Sequence, residues 1–203
     1  LLFGILGADV RVLPPEPDQA AIMAAQQAVH DEAARAGRRP AILDRHLAYG
    51  IDATIGYVDA AEELHQQLAA VAAAPHSVFI AAGAGMTVAG LALGLKHLGS
   101  PARVTGVCIA TRAALLAPQI EFQASRAAER LQLATRLSAA DLTLLDDQVA
   151  TGYGVLTPAL VEVIRRFARL HGMVIDPVYN AKVALALVGQ VAAGRIPRGA
   201  TVV

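Results

Sequence analysis

Ile80-Ala81-Ala82-Gly83-Ala84-Gly85-Met86-Thr87-Val88-Ala89-Gly90-Leu91-Ala92-Leu93-Gly94-Leu95 is the stretch whose reading decides the fold. The apolar run Ser77-Val78-Phe79-Ile80 that enters it reads as a buried strand. After it, Val88, Leu91, Leu95 and Leu98 recur at helical spacing. Between them lies a turn of small residues, Gly83-Ala84-Gly85. A strand, a glycine turn and a helix start gather free backbone N–H groups and the positive helix end at one point, which suits a phosphate. The same glycines can equally do no more than permit a tight turn.

Working outward, Val10-Arg11-Val12-Leu13 predicts a short strand closed by Pro14, Pro15 and Pro17. Asp18 caps a predicted helix to about Ala36, with Ile22, Ala25, Val29 and Ala33 on one face and Gly37 at its end. Ala41-Ile42-Leu43 is the next expected strand, and Asp44-Arg45-His46 with Gly50 suggests a crossing between domains. A helix is expected from about Ile55 to Ala73, with Glu62, Glu63 and His65 on its wetter side. Beyond the glycine turn, Val104 to Ile109 reads as a buried strand and Pro118 to Ser138 as an amphipathic helix carrying Arg126, Arg130 and Arg136 outside. Leu142 to Leu145 is a further strand. Thr157-Pro158 opens a helix with a hydroxyl cap and a proline at its first position, and Gly172 closes it. Met173 to Asp176 is an expected strand, Asn180 to Ala193 a helix, and Thr201 to Val203 the start of a strand. The alternation predicts an α/β fold, a mostly parallel sheet covered by helices on both faces.

At 203 residues and 55% hydrophobic, the chain can bury a real core and make one or two domains. Seventeen basic residues balance seventeen acidic ones, so nothing points to nucleic acid or to an anionic membrane. No apolar run approaches the roughly 20 residues of a membrane span, and no basic-then-apolar signal pattern is present at Leu1. The single cysteine, Cys108, excludes an internal disulfide framework and fits a reduced, cytoplasmic setting. The chain starts at Leu1 without a methionine and stops at Val203 inside an expected strand, so a fragment is expected.

In α/β sheets ligands gather at the carboxyl ends of the strands. Four places qualify: residues 83–87, the loop Asp146-Asp147 to Gly154, the segment Asp176-Pro177-Val178-Tyr179-Asn180, and the C-terminal end. Tyr153 stands between Gly152 and Gly154, where a loop can present its ring to a ligand or use it as a packing plug. Tyr179 sits at a strand-to-helix junction, where a phenol can act as acid or base, or satisfy its hydroxyl at a core edge. Asp146 and Asp147 are adjacent and point apart, which favours a capping or solvated role over a paired acid and base. The histidines at 30, 46, 65, 76, 97 and 171 show no i, i+4 pairing, so no metal site is expected. No Gly-x-Ser-x-Gly or Gly-Lys-Ser/Thr motif is present.

Taken in order, these segments resemble one family. Ala81 to Leu91 resembles the Gly-Ser-Gly-Gly-Thr-x-Ala-Gly phosphate loop of fold-type II (tryptophan synthase β-like) pyridoxal-phosphate enzymes. The nearer branch is that of D-cysteine desulfhydrase and 1-aminocyclopropane-1-carboxylate (ACC) deaminase. Leu145-Asp146-Asp147 with Gly152-Tyr153-Gly154-Val155-Leu156-Thr157 sharpens the match, as does Gly172-Met173-Val174-Ile175-Asp176-Pro177-Val178-Tyr179-Asn180-Ala181-Lys182. The latter resembles that branch's Gly-hydrophobic-Asp-Pro-Val-Tyr-x-Gly-Lys, and Ile55 to Ala61 resembles the helix opening its large domain. The resemblance implies a three-layer αβα fold, with residues 1–48 ending a small domain and 49–203 forming an incomplete large domain. It implies pyridoxal 5'-phosphate held by its phosphate at Gly83, Ala84, Gly85, Met86 and Thr87. Tyr179 is then the active-site phenol, with Tyr153 beside a small amino-acid substrate and Asn180 on the substrate side. The implied reaction is an elimination giving a 2-oxo acid and ammonia, in a homodimer.

Departures bear on the substrate. Ala84 replaces the usual serine and Met86 the third small residue of the loop. Asn180 stands where the deaminases carry glutamate and the desulfhydrases usually threonine; with Gly152 it leans towards D-cysteine desulfhydrase over ACC deaminase. The family's Schiff-base lysine is expected in a segment before Leu1. Lys182 matches the lysine after the tyrosine instead, and Lys96 lies on the helix away from the loop, so this chain alone is expected to be inactive. Two other readings stay open: a dinucleotide-binding domain, which wants a third glycine and a later acidic residue that are not here, and a non-catalytic homologue, which the altered loop favours.

Overall fold

The computed structural model describes residues 2–15, 17–43, 48–149 and 152–203, in two compact units, Leu1–Asp44 and Arg45–Val203. The expected crossing at Asp44-Arg45-His46 lies outside the described residues; Gly50 sits within a helix.

In the first unit, α1 (Leu2–Ile5) is followed by α2 (Gln19–Arg35). Asp18 caps α2 as its sequence implies, its carboxylate accepting from Ala21 N at 2.7 Å. The runs 10–13 and 41–43 form no strand, against the reading of the sequence. Neither finds a ladder partner among the described residues, and Val12 and Leu43 are 89% and 74% exposed. Leu13, Ile42, Ile22 and Val29 face a groove of about 660 Å³ instead. The Arg11 guanidinium fixes this segment to α2 through Glu32, at 2.7 and 2.9 Å.

The second unit is a three-layer α/β domain. A four-stranded sheet, in the order β3 (Thr143–Leu145), β2 (Arg103–Cys108), β1 (Pro75–Ala82) and β4 (Thr201–Val202), is parallel throughout. One face is covered by α4 (Met86–His97) and α5 (Ala113–Arg130), and α3 (Ala48–Ala70) packs onto these two helices. There Val78, Ala82, Val104 and Cys108 meet Val88, Leu91, Leu95, Leu116 and Ile120 in one buried cluster. The other face carries α7 (Asn180–Ala192), onto which α6 (Pro158–His171) packs through Leu160, Val163, Ala181 and Ala184. Thr157 caps α6 through Leu160 N, Pro158 occupies its first turn, and left-handed Gly172 (φ 66°) ends it. These local signals read directly from the sequence.

Two glycines set the close fit of α3 on α4. A Cβ built on Gly90 would run into Thr54 O and lie 2.5 Å from Tyr57 Cβ; one on Gly94 would lie 2.5 Å from Ala61 Cβ. Without them the helices could not approach so closely.

Three further boundaries differ from expectation. The helix expected from Ile55 begins at Ala48, and left-handed Ala72 (φ 52°) follows its end at Ala70. The helix expected from Pro118 begins at Ala113, with Pro118 inside it, and left-handed Gln132 (φ 56°) ends it early. The missing cap comes from afar: Asp146, just past β3, accepts from Ala113 N at 3.1 Å. The expected strand 173–176 has no ladder partner among the described residues, with Val174 87% exposed. A short apolar run does not by itself announce a neighbouring strand.

Candidate active site

The carboxyl ends of β1, β2 and β3 lead into Gly83, Ile109 and Asp146, and Tyr153 and Tyr179 meet beside residues 83–87 there, whereas the C-terminal Val203 pairs with Ser77 and Phe79 within β1. Gly85 is buried and left-handed (φ 86°), and it serves as the N-cap of α4 with no side chain to offer. A Cβ on it would lie 2.7 Å from Ile120 Cγ1, so the position admits glycine alone on two counts. Among the described residues, the N–H groups of Gly85, Met86, Thr87 and Val88 donate to no acceptor; the first bond across the cap is Ala89 N to Gly85 O, 2.9 Å. The Thr87 hydroxyl makes no hydrogen bond there either. Four unspent donors at a helix start form an anion cradle with the positive helix end behind it.

Gln123 of α5 braces this loop, donating from Nε2 to Ala84 O at 3.0 Å. Its Oε1 is buried with no hydrogen-bond partner among the described residues. The sequence gives no signal for Gln123 beyond its place on a helix.

The phenols meet at the same end. Tyr153 and Tyr179, 26 residues apart, share a hydrogen bond of 2.8 Å between hydroxyls. Their rings are edge to face, with centroids 6.1 Å apart and planes at 78°. Tyr179 Cε1 would lie 3.6 Å from a Cβ on Gly83, so the phenol stands over the glycine turn. Gly152 (φ 87°) and Gly154 (φ 73°) both take left-handed conformations around Tyr153, as its bracketing suggests.

Asp176 organises the start of α7. Its Oδ1 accepts from Val178 N (2.9 Å) and Tyr179 N (2.7 Å), and its Oδ2 from Asn180 N (2.9 Å) and Asn180 Nδ2 (2.7 Å). Burial works against the charged carboxylate, but these N–H donors outweigh it and hold the carboxyl below its usual range. The Asn180 amide is thereby turned onto Asp176. Asp146 caps α5, while Asp147 is hydrogen-bonded to Gln148 (3.0 Å), so the two carboxylates do not act as a pair. Cys108, under the site at the end of β2, is fully buried; burial, then Asp146 and Asp147, push its thiol up to about 11.

Both lysines are committed. Lys96 is paired with Asp141 at 2.7 Å, on the last turn of α4. Lys182 is 1% exposed and donates to Ile109 O (2.9 Å) and Gly152 O (3.0 Å).

A family model described as "Pyridoxal-phosphate dependent enzyme" matches residues 2–203. The chain belongs to this family. Its members depend on pyridoxal phosphate, and the donor cradle at Gly85 to Val88 fits a phosphate group in charge and in donor number. This pyridoxal-phosphate family chain is similar to the ACC deaminase of Rhizobium rhizogenes, at 31% identity over all of this chain and 60% of that protein. It is 37% identical to the D-cysteine desulfhydrase of Salmonella paratyphi C over 66% of this chain and 40% of that one. The crystal structure of an ACC deaminase homologue superimposes with a TM-score of 0.82 at 28% identity, covering 99% of this chain and 58% of the other. The chain therefore spans 60% of the length of such curated deaminases.

Proposed function

We propose that the whole protein is a pyridoxal-phosphate-dependent lyase that eliminates from a small amino acid. The observation that carries this reading is the pair of hydrogen-bonded phenols standing over a glycine-turned helix start. Residues 83–87 would hold the cofactor phosphate, with the Met86 and Thr87 N–H groups and the Thr87 hydroxyl available as donors. When bound, the cofactor supplies an electron sink for bonds at the substrate α-carbon. The chain's own part is proton handling. Tyr179 holds a proton at its hydroxyl, and Tyr153, in contact at 2.8 Å, orients that hydroxyl and can pass a proton to or from it.

D-cysteine desulfhydrase activity, giving pyruvate, sulfide and ammonia, is the favoured form. Its support is Asn180, uncharged and turned onto Asp176, together with Gly152 before Tyr153. ACC deamination is the second reading, favoured by deaminase relatives that align with the whole chain. The cofactor-linking amine lies outside residues 1–203, since Lys96 and Lys182 are both engaged. We place the protein in the cytoplasm, supported by the lone buried Cys108, and as a homodimer on family resemblance; among the described residues no helix is long and apolar enough to cross a membrane. The test is an assay of the full-length protein with D-cysteine, L-cysteine and ACC, following 2-oxo acid, sulfide and ammonia. Turnover of D-cysteine with sulfide release supports the first form, and turnover of ACC alone the second. Saturable cofactor binding without turnover of any small amino acid would overturn both.

A further inference from the structure

Lys182 is an unusual residue to find where it stands. Its side chain is 1% exposed, and among the described residues no carboxylate pairs with it. Burial lowers its pKa, as expected for an ammonium removed from water. A buried cation without a counter-ion is unfavourable, and apolar residues of similar volume commonly replace such groups without loss of stability. Filling space therefore does not account for a lysine here. Its hydrogen bonds do.

The ammonium joins two backbone segments that are 43 residues apart, the difference between positions 109 and 152. Ile109 O is at the end of β2, and Gly152 O belongs to the peptide that leads directly into Tyr153. Tyr179 lies three residues before Lys182, at the start of the same helix. The contacts thus close a ring: from Tyr179 along the first turn of α7 to Lys182, across to Gly152, through the chain to Tyr153, and back by the 2.8 Å bond between phenols. Because Gly152 is left-handed (φ 87°) and has no side chain to restrain it, the orientation of its peptide needs an outside anchor. Lys182 is that anchor.

We propose that Lys182 is the positioning residue of the tyrosine pair, fixing the Gly152 carbonyl so that Tyr153 meets Tyr179 over the glycine turn. The structural part stands on this chain's contacts; its consequence for turnover rests on the lyase reading above.

The experiment uses the full-length protein carrying tyrosine labelled with 13C at Cζ, its signals assigned by Tyr153→Phe and Tyr179→Phe. Lys182→Met keeps the length of the side chain and removes its donors. It is expected to shift the Tyr153 and Tyr179 signals and leave those of Tyr49 and Tyr57 in place. Its effect on Tyr179 should vanish in a Tyr153→Phe background. Should Lys182→Met not fold, the coupling is read from the other side: Tyr179→Phe should speed proton exchange of the 15N-labelled Lys182 ammonium about fivefold, as for loss of one hydrogen bond. In turnover, Lys182→Met should lower kcat about tenfold or more with KM little changed. Unmoved tyrosine signals in folded Lys182→Met, or an ammonium indifferent to Tyr179→Phe, would overturn the proposal. The spectra do not depend on turnover, so an inactive protein with coupled signals would refute only the lyase reading.

Discussion

Replacing Gly90 and Gly189 by alanine, one at a time, asks the same chemical question in two places and expects opposite answers. Both lie in helices, α4 and α7, and in an isolated helix either change is worth about 1 kcal/mol in favour of alanine. At Gly189 a new Cβ meets nothing within 4 Å, so most of that gain, roughly 0.5–1 kcal/mol, should survive. At Gly90 the new Cβ would strike the carbonyl oxygen of Thr54 and lie 3.0 Å from the Tyr57 carbonyl carbon. These are backbone atoms of α3, which cannot rotate away, so the whole helix must move from its buried face. Overpacking of this kind costs about 1–3 kcal/mol, and backbone obstruction places Gly90 at the upper end. After subtracting the helix gain, a loss of about 2 kcal/mol remains. At roughly 2–4 °C per kcal/mol for a chain of this size, Gly90→Ala should lower Tm by about 4–8 °C and Gly189→Ala raise it by about 1–4 °C. Circular dichroism at 222 nm, with urea titration as a second probe, reads both. A Gly90→Ala protein as stable as its parent would mean that α3 and α4 do not pack at this distance, and the helix-pair argument would fall.

Other outcomes follow from the site. Gly85→Ala places a side chain at φ 86° and 2.7 Å from Ile120 Cγ1, so stability should fall by about 2 kcal/mol; titration of the full-length protein with pyridoxal phosphate should show at least about tenfold weaker binding, and unchanged affinity would remove the loop from the cofactor site. Asp176→Ala strips four N–H donors of their acceptor and should cost about 1–2 kcal/mol at pH 7. Because the folded carboxyl is held below its unfolded value of about 3.9, its contribution is complete above that pH and is lost as pH falls through the lowered folded value. The urea midpoints of parent and variant should therefore converge on acidification below about pH 4, and a constant gap would refute the assignment. Cys108, fully buried with its thiol pushed up to about 11, should resist a disulfide reagent at pH 8 in the folded protein and react at once in urea; rapid native reaction would show the sheet end to be open.

Much of the fold is local information. Asp18 with Ala21 N, Thr157 with Leu160 N, and Gly172 past α6 are signals within about one helical turn, so a linear reading finds them. The strand, glycine turn and helix around Gly85 are of the same kind, and together with the alternation of apolar runs they determine a parallel α/β domain. What tertiary structure alone decided is which groups separated in the chain come to meet. Residues 10–13, 41–43 and 173–176 look like strands, yet a strand exists only where a neighbour accepts its hydrogen bonds, and among the described residues none does. Helix α5 starts five residues before its proline because Asp146, 33 residues away, caps Ala113. Gln123 reaches Ala84 across 39 residues, Tyr153 reaches Tyr179 across 26, and Lys182 reaches Ile109 across 73. The physical reason is the same in each case. A local cap depends on the dihedrals of a few successive residues, whereas these bonds depend on packing of whole elements, which fixes the position of each donor and acceptor only after the sheet and its helices have assembled.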